Sequence, residues 1–147
     1  MSSVCVLGLG YIGLPTSAVL AGAGHRVVGV DVRRQVVDTV NAGLIHIVEP
    51  DLELAVSSVV QSGALTAQLR PTPSEVFLIA VPTPFRLGVD GHPQPNIDYV
   101  LDAAKSIAPV LQPGNLILLE STSPVGTTEK LAQVLTEISG LSYDQLH

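Results

Sequence analysis

The stretch Gly8-Leu9-Gly10-Tyr11-Ile12-Gly13 decides the fold that this sequence predicts. It matches the pattern G-x-G-x-x-G, which is a weak signal when it stands alone. Here it begins at the end of residues 4–9, a short apolar run with β-branched residues that is typical of a buried strand. It also opens a small-residue helix predicted over residues 11–22. The stretch therefore predicts a glycine turn that joins a buried strand to a helix.

In that context each glycine has a separate expected task. Gly8 would permit the tight turn, Gly10 the close approach of a pyrophosphate, and Gly13 the close contact between helix and strand. The backbone N–H groups of Tyr11 and Ile12 would then face the phosphates at the positive end of the helix. The alternative is a glycine turn in an α/β protein that binds no ligand. The context favours a dinucleotide site.

Asp31 ends the next predicted strand, 18 residues after Gly13. A carboxylate at this place accepts hydrogen bonds from the adenosine ribose and repels a 2′-phosphate, so the sequence favours NAD over NADP. Arg33 and Arg34 follow directly, and an arginine here is how NADP is accommodated. Their other possible roles are a solvated first helical turn or stacking on the adenine.

Strand and helix patterns alternate along the rest of the chain. This alternation, with apolar strands, predicts an α/β fold, namely a Rossmann-type doubly wound parallel sheet with helices on both faces. We expect a single domain over residues 1–147. Asp51 is placed to cap the helix predicted over residues 52–60 or to complement its dipole. The further strands are predicted over residues 26–30, 65–69, 76–81 and 116–119, and the further helices over residues 33–41, 52–60, 97–111 and 131–138.

Two segments follow predicted strands at their carboxyl ends, where open α/β sheets bind ligands. Residues 82–95 hold four of the eleven prolines and a turn signal at Asp90-Gly91, and they predict a loop. Within it, Thr83 either faces a cofactor or belongs to a proline-rigid turn. In residues 120–124 the hydroxyl cluster is typical of capping and turns, because no nucleophile elbow surrounds the serines. Alternatively, Thr122 or Glu120 holds a water or the nicotinamide ribose.

Composition excludes several classes of protein. The chain has 147 residues, of which 46% are hydrophobic and 14% charged, and its net charge is −6. This charge argues against a sequence-independent nucleic-acid binder, and the low charged fraction argues against disorder. The apolar runs are too short to span a bilayer and the N-terminus lacks a basic leader, so we expect a cytoplasmic protein without membrane contact.

The few metal-ligating and nucleophilic side chains predict no further chemistry. Cys5 is the one cysteine, which fits a reducing compartment, and its place in the first strand predicts an inert buried thiol. His46 and Glu49 lack a third ligand, so we expect a surface connection rather than a metal site.

Five segments in order resemble the UDP-glucose/GDP-mannose dehydrogenase family: GLGYIGLPT (8–16), GVD (29–31), IHIVEPDL (45–52), VPTPF (81–85) and ESTSPVGTTEK (120–130). The resemblance runs through essentially the whole chain. It implies an enzyme that oxidises the C6 alcohol of a nucleotide sugar to a carboxylate with two NAD and one water. IHIVEP and VPTPF resemble the members that act on UDP-N-acetyl-D-mannosamine, in surface polysaccharide synthesis. Residues 86–95 are longer than the family pattern leads us to expect.

The resemblance also implies roles for particular residues. Tyr11, Ile12, Asp31, Thr83 and Thr122 match positions that bind NAD, and Thr122 matches a hydroxyl that helps to position the catalytic water. The family's cysteine nucleophile and its catalytic lysine and asparagine lie in later domains, and this chain holds no match for them. The resemblance thus implies the N-terminal, NAD-binding part of a longer, commonly dimeric enzyme, inactive by itself.

Three other functions remain open at this point. They are a UDP-glucose 6-dehydrogenase, a stand-alone NAD-binding or regulatory module, and a different oxidoreductase such as a β-hydroxyacid dehydrogenase. The segments VPTPF and ESTSPVG count against the last of these.

Overall fold

A parallel sheet forms the centre of the fold in a computed structural model of the chain, which describes residues 1–88 and 91–147. Seven strands occur in these residues: β1 (Ser3–Leu7), β2 (Arg26–Val30), β3 (Leu65–Gln68), β4 (Val76–Ile79), β5 (Phe85–Leu87), β6 (Pro93–Pro95) and β7 (Leu116–Leu119). Five of the seven form the sheet in the order β3-β2-β1-β4-β7, and every pairing in it is parallel. The central strand is β1, whose Val6 lies between Gly29 and Leu78.

Helices cover both faces of this sheet. They are α1 (Gly13–Gly22), α2 (Arg34–Asn41), α3 (Leu52–Gln61), α4 (Asp98–Ile107) and α5 (Thr127–Ser139) among the described residues. Successive residues of β1 point to opposite faces: Val4 and Val6 pack with α1, α2 and α3, whereas Cys5 and Leu7 pack with α4 and α5. This arrangement confirms the predicted doubly wound sheet. No helix in the described residues is long and apolar enough to cross a membrane.

The glycine turn is pressed against the neighbouring strand. Gly8 has a φ of +91°, and a Cβ there would lie 2.7 Å from the carbonyl oxygen of Ala80. At Gly13 a Cβ would collide with the carbonyl oxygen of Gly8 and stand 3.2 Å from the Cβ of Ala80. Only glycine fits both positions, so the predicted tight turn and close helix–strand contact are present.

Cys5 lies fully buried inside β1. Burial raises the pKa of its thiol to about 11, because the thiolate would lose its hydration there. A thiol with this pKa stays protonated and is unreactive at neutral pH. The predicted inert thiol is confirmed.

The start of α3 agrees with the prediction, whereas the starts of α2 and α4 differ by one residue, that of α1 by two and that of α5 by four. The first helix begins at Gly13 instead of residue 11, because Tyr11 and Ile12 belong to the turn itself. Asp51 precedes α3, but its carboxylate accepts no hydrogen bond from the first turn. Its backbone is left-handed, with a φ of 62°, whereas a capping residue needs an extended backbone. The capping alternative for Asp51 is therefore wrong.

The strand β7 was expected to be buried and is instead half exposed. It lies at the edge of the sheet, beside β4 alone among the strands of the described chain, and Leu118 is 42% exposed. Short backbone contacts with the last residue cover part of this edge. The amide of Ile117 donates to the carbonyl of His147 at 2.7 Å, and the amide of His147 donates to the carbonyl of Asn115 at 2.9 Å.

The segment predicted as a loop over residues 82–95 contains a short hairpin. Strands β5 and β6 pair antiparallel, with Arg86 opposite Gln94, and all their side chains are exposed. Prolines are tolerated because the hairpin has two edge strands and no central one. The guanidinium of Arg86 contacts the carboxylate of Asp98 at 3.1 Å and links the hairpin to α4. Asp90 of the predicted turn lies outside the described residues.

Substitution of Gly13 by alanine tests the contact between the glycine turn and the sheet. The new Cβ would meet backbone, which has no room to yield, so we expect Gly13→Ala to lower the free energy of unfolding by about 1–3 kcal/mol. Urea unfolding measures this loss. Gly22→Ala in the same helix is the matched control, because a Cβ there meets nothing within 4 Å and stability should be unchanged or slightly raised. Equal stability of the two variants would contradict the close contact.

Candidate functional site

The candidate site lies where the carboxyl ends of β1, β2, β4 and β7 meet at one edge of the sheet. Several hydrogen bonds join the segments there, among them the following three. The amide of Leu9 donates to Asp31 Oδ2 at 3.2 Å, Thr83 Oγ1 donates to the carbonyl of Thr122 at 2.6 Å, and Thr16 Oγ1 donates to Glu120 Oε1 at 3.3 Å. The residues singled out in the sequence are therefore brought together on one side of the molecule.

The glycine turn presents unused hydrogen-bond donors. Within the part of the chain that the structure describes, the amides of Gly10, Tyr11 and Ile12 donate to no protein acceptor. They lie at the N-terminus of α1, where the helix dipole favours negative charge. A Cβ on Gly10 would meet nothing within 4 Å, so the space above the turn is open. This open cradle of amides fits a diphosphate.

Asp31 is the buried carboxylate beside that cradle, with 7% of its surface exposed. Burial by itself would raise its pKa. Hydrogen bonds from the side chain and the amide of Arg33, and from the amide of Leu9, outweigh burial and hold the pKa below its ordinary value. Asp31 is therefore ionised at neutral pH, which is the state in which a carboxylate accepts hydrogen bonds from a ribose.

Both arginines that follow Asp31 face carboxylates. Arg33 Nε lies 3.2 Å from Asp31 Oδ1, and Arg34 Nη1 lies 3.8 Å from Asp38 Oδ1. The pair of Arg34 with Asp38 is long and exposed on both sides, so it contributes little to stability. Each guanidinium is thus already paired with a carboxylate, and the carboxylate of Asp31 would repel a 2′-phosphate, which favours NAD over NADP.

The two threonines form the opposite side of the site. Thr83 gives its proton to the carbonyl of Thr122, and the two hydroxyl oxygens are 3.3 Å apart. Since Thr83 has no second proton, Thr122 must be the donor in the contact between hydroxyls. The lone pairs of Thr122 Oγ1 then remain available to accept a hydrogen bond from a bound water or ribose.

Ser121 and Thr16 complete the link between these loops. Ser121 Oγ donates to the carbonyl of Val81 at 2.7 Å, so this serine has the turn role that the sequence favoured. Thr16 was not singled out, although it is the last residue of the segment GLGYIGLPT. Its place one turn after the glycines, on the helix face towards β7, is the signal that could have identified it as the partner of Glu120.

His46 lies in the connection between α2 and α3, as predicted, and is partly buried there, whereas Val48 and Glu49 are exposed. Both of its ring nitrogens are buried and have no hydrogen-bond partner among the described residues. Burial, followed by the nearby charge of Arg33, lowers the pKa of His46, so the ring is neutral at physiological pH. The described residues contain no group of three or more metal-ligating side chains.

Two cavities among the described residues lie away from the candidate site. One of about 140 Å³ lies between β7 and α5, and is lined by residues such as Ile117, Leu131 and Tyr143. Another of about 200 Å³ lies near Met1 and His25 at the opposite, amino ends of the strands. Neither is lined by a residue of the glycine turn.

Comparison with known proteins agrees with this geometry. The model of the UDP-glucose/GDP-mannose dehydrogenase family, NAD binding domain, matches residues 2–145. A UDP-N-acetyl-D-mannosamine dehydrogenase of Campylobacter jejuni is 54% identical over 136 residues, which are 92% of this chain and 33% of that protein. An NDP-N-acetyl-D-galactosaminuronic acid dehydrogenase of Ralstonia nicotianae is 52% identical over 134 residues, which are 91% of this chain and 31% of that protein.

A solved structure shows the same fold. The UDP-D-ManNAc dehydrogenase of Pyrococcus horikoshii superposes with a TM-score of 0.89 at 39% identity, over 98% of this chain and 34% of that one. The chain thus spans about a third of the length of the relatives that it matches. Because the family model covers nearly all of its residues, the chain belongs to the UDP-glucose/GDP-mannose dehydrogenase family, in which it corresponds to the NAD-binding domain.

Proposed function

We propose that this chain is the cofactor-binding part of an NAD-dependent nucleotide-sugar 6-dehydrogenase. The observation that carries the proposal is the open cradle of unpaired amides at Gly10, Tyr11 and Ile12, with the ionised Asp31 tied directly to its edge. Such an arrangement supplies donors to a pyrophosphate and an acceptor to an adjacent ribose. The domain would extend over residues 1–147.

The proposed cofactor contacts follow from this geometry. The amides of Gly10, Tyr11 and Ile12 would bind the pyrophosphate, while Gly8 and Gly13 keep the turn close to the sheet. Asp31 would accept hydrogen bonds from the adenosine ribose. On the other side of the cradle, Thr83 and Thr122 would face the nicotinamide half.

The reacting end of the site would then be next to Thr122. When bound, NAD accepts a hydride from the C6 carbon in each of the two oxidations. The lone pairs of Thr122 Oγ1 are available to hold the water that the reaction consumes, because Thr83 donates its own proton to the carbonyl of Thr122. No nucleophile is proposed in this chain, because the thiol of Cys5 is buried and protonated.

The proposed substrate is UDP-N-acetyl-D-mannosamine. Relatives at 54% and 52% identity carry the names of dehydrogenases for N-acetylated sugar nucleotides. The second of them names an N-acetylgalactosamine-derived sugar, so a nucleotide-linked N-acetylhexosamine is the shared substrate class. We further propose that the longer enzyme is a cytoplasmic homodimer, in keeping with the family.

Two alternatives are kept for the experiments to decide. A UDP-glucose 6-dehydrogenase would use the same cofactor cradle with another sugar. A stand-alone NAD-binding or regulatory module would bind NAD without catalysing the oxidation.

A side chain at Gly10 should block the cofactor without disturbing the fold. Gly10→Val places atoms in the open cradle, where a Cβ meets nothing within 4 Å. We expect calorimetry with NAD to show binding to the unchanged chain and a loss of affinity of about ten-fold or more in the variant. Gly22→Ala should bind NAD normally. If Gly10→Val has full affinity, NAD does not use this cradle.

Replacement of Asp31 by asparagine should weaken the preference for NAD. The loss of charge-assisted hydrogen bonds predicts an NAD affinity about ten-fold lower or more. NADP should be affected less, because the variant no longer repels its 2′-phosphate. Titration of both cofactors against Asp31→Asn and the surface control Asp38→Asn measures the ratio. An unchanged ratio in Asp31→Asn would contradict the ribose role.

The substrate is tested on a longer polypeptide that contains this domain. We expect two NADH per sugar with UDP-N-acetyl-D-mannosamine and none with UDP-glucose, measured by the ultraviolet absorbance of NADH. Equal turnover of both sugars would contradict the substrate assignment. NAD binding without turnover of any sugar nucleotide would favour the module.

A further inference from the structure

The carboxylate of Asp31 has all of its hydrogen-bonding capacity in use. Oδ2 accepts the amide of Leu9 at 3.2 Å and Arg33 Nη2 at 3.4 Å. Oδ1 accepts the amide of Arg33 at 3.0 Å and its Nε at 3.2 Å. An ionised carboxylate has about four lone-pair sites. A ribose diol therefore finds no free acceptor on Asp31 in this conformation.

The four donors differ in how easily they can leave. The amides of Leu9 and Arg33 are fixed by the backbone, at the glycine turn and at the start of α2. The guanidinium of Arg33, by contrast, belongs to a side chain that is 61% exposed, so water can replace its contacts at little cost. Nε and Nη2 are the pair of donors that an incoming ligand can displace.

We propose that the Arg33 guanidinium occupies the ribose subsite of Asp31 and is displaced when the cofactor binds. Arg33 contacts both carboxylate oxygens, one through Nε and one through Nη2, as a ribose diol would through its two hydroxyls. Arg33 is then an internal competitor that lowers the affinity for NAD. This inference rests on the proposed function, because it assigns the ribose to Asp31.

Arg34 provides the matched control. It is the next residue, carries the same charge and is exposed to a similar degree, but it faces Asp38 instead of Asp31. Removal of either arginine takes away one positive charge near an anionic ligand and should weaken binding equally through that effect. The difference between the two variants therefore isolates the competition for Asp31.

The test compares the affinity of ADP-ribose for the chain with Arg33→Met and with Arg34→Met, by calorimetry. We expect Arg33→Met to bind about two- to five-fold more tightly than Arg34→Met, the range that an exposed ion pair allows. Arg33→Lys keeps the charge without the bidentate contact to Asp31 and should bind ADP-ribose more tightly than the unchanged chain. The same comparison is made with ADP and with 2′-deoxy-ADP. The gain in affinity of Arg33→Met over Arg34→Met should be smaller for 2′-deoxy-ADP, because one hydroxyl of the adenosine ribose is missing.

A second measurement follows Arg33 directly. In the free chain its Nε–H donates to the carboxylate of Asp31, and saturation with ADP-ribose should shift its nitrogen-15 NMR signal towards that of a solvated arginine side chain. Equal affinities of Arg33→Met and Arg34→Met, or weaker binding by Arg33→Met, would overturn the competition, and so would an Arg33 Nε signal that saturation leaves in place. If no form of the chain binds ADP-ribose, the proposed function fails as well, so the two failures are distinguishable.

Discussion

The contact of the glycine turn with the sheet is the constraint on which the rest of the structure depends. The amide of Gly8 donates to the carbonyl of Val30 at 2.8 Å, which ties the turn to β2, and its Cα faces the carbonyl of Ala80 after β4. The first turn of α1 rests on the same turn through Gly13. Three strands and a helix thus meet at a point where no side chain fits, and the amides of Gly10, Tyr11 and Ile12 beyond it have no protein acceptor among the described residues.

This arrangement explains how an acidic domain can hold an anion. The chain carries a net charge of −6, and Glu120 lies at the candidate site, bonded to Thr16. The guanidinium of Arg33 is paired with the carboxylate of Asp31. Attraction for phosphate must therefore come from backbone amides and the dipole of α1, whose effect is confined to about one helical turn. A field of such short range selects by shape, because only a group that enters the cradle experiences it.

The sequence predicted what depends on local pattern and failed where distant contacts decide. The order of strands and helices, the glycine turn and Asp31 follow from apolar runs and from a motif in its proper context. The exposed β7 and the β5–β6 hairpin depend on which strands become neighbours, and a single strand's composition does not contain this information. Likewise, the buried ring nitrogens of His46 and the link from Thr16 to Glu120 arise only when separate segments pack together. The roles of Tyr11, Ile12, Thr83 and Thr122 towards a cofactor remain predictions.

The proposed ribose role of Asp31 and its structural role depend on the same carboxylate. Its Oδ2 holds the amide of Leu9, and Leu9 in turn fills the space over Gly29, where a Cβ would come within 2.6 Å of Leu9 Cδ2. The group that would recognise the ribose is thus also a structural brace between the glycine turn and β2. A mutation that relaxed cofactor choice at this position would loosen the fold at the same time. Evolution of this domain towards another dinucleotide is therefore expected to pass through compensating changes around Leu9 and Gly29 first.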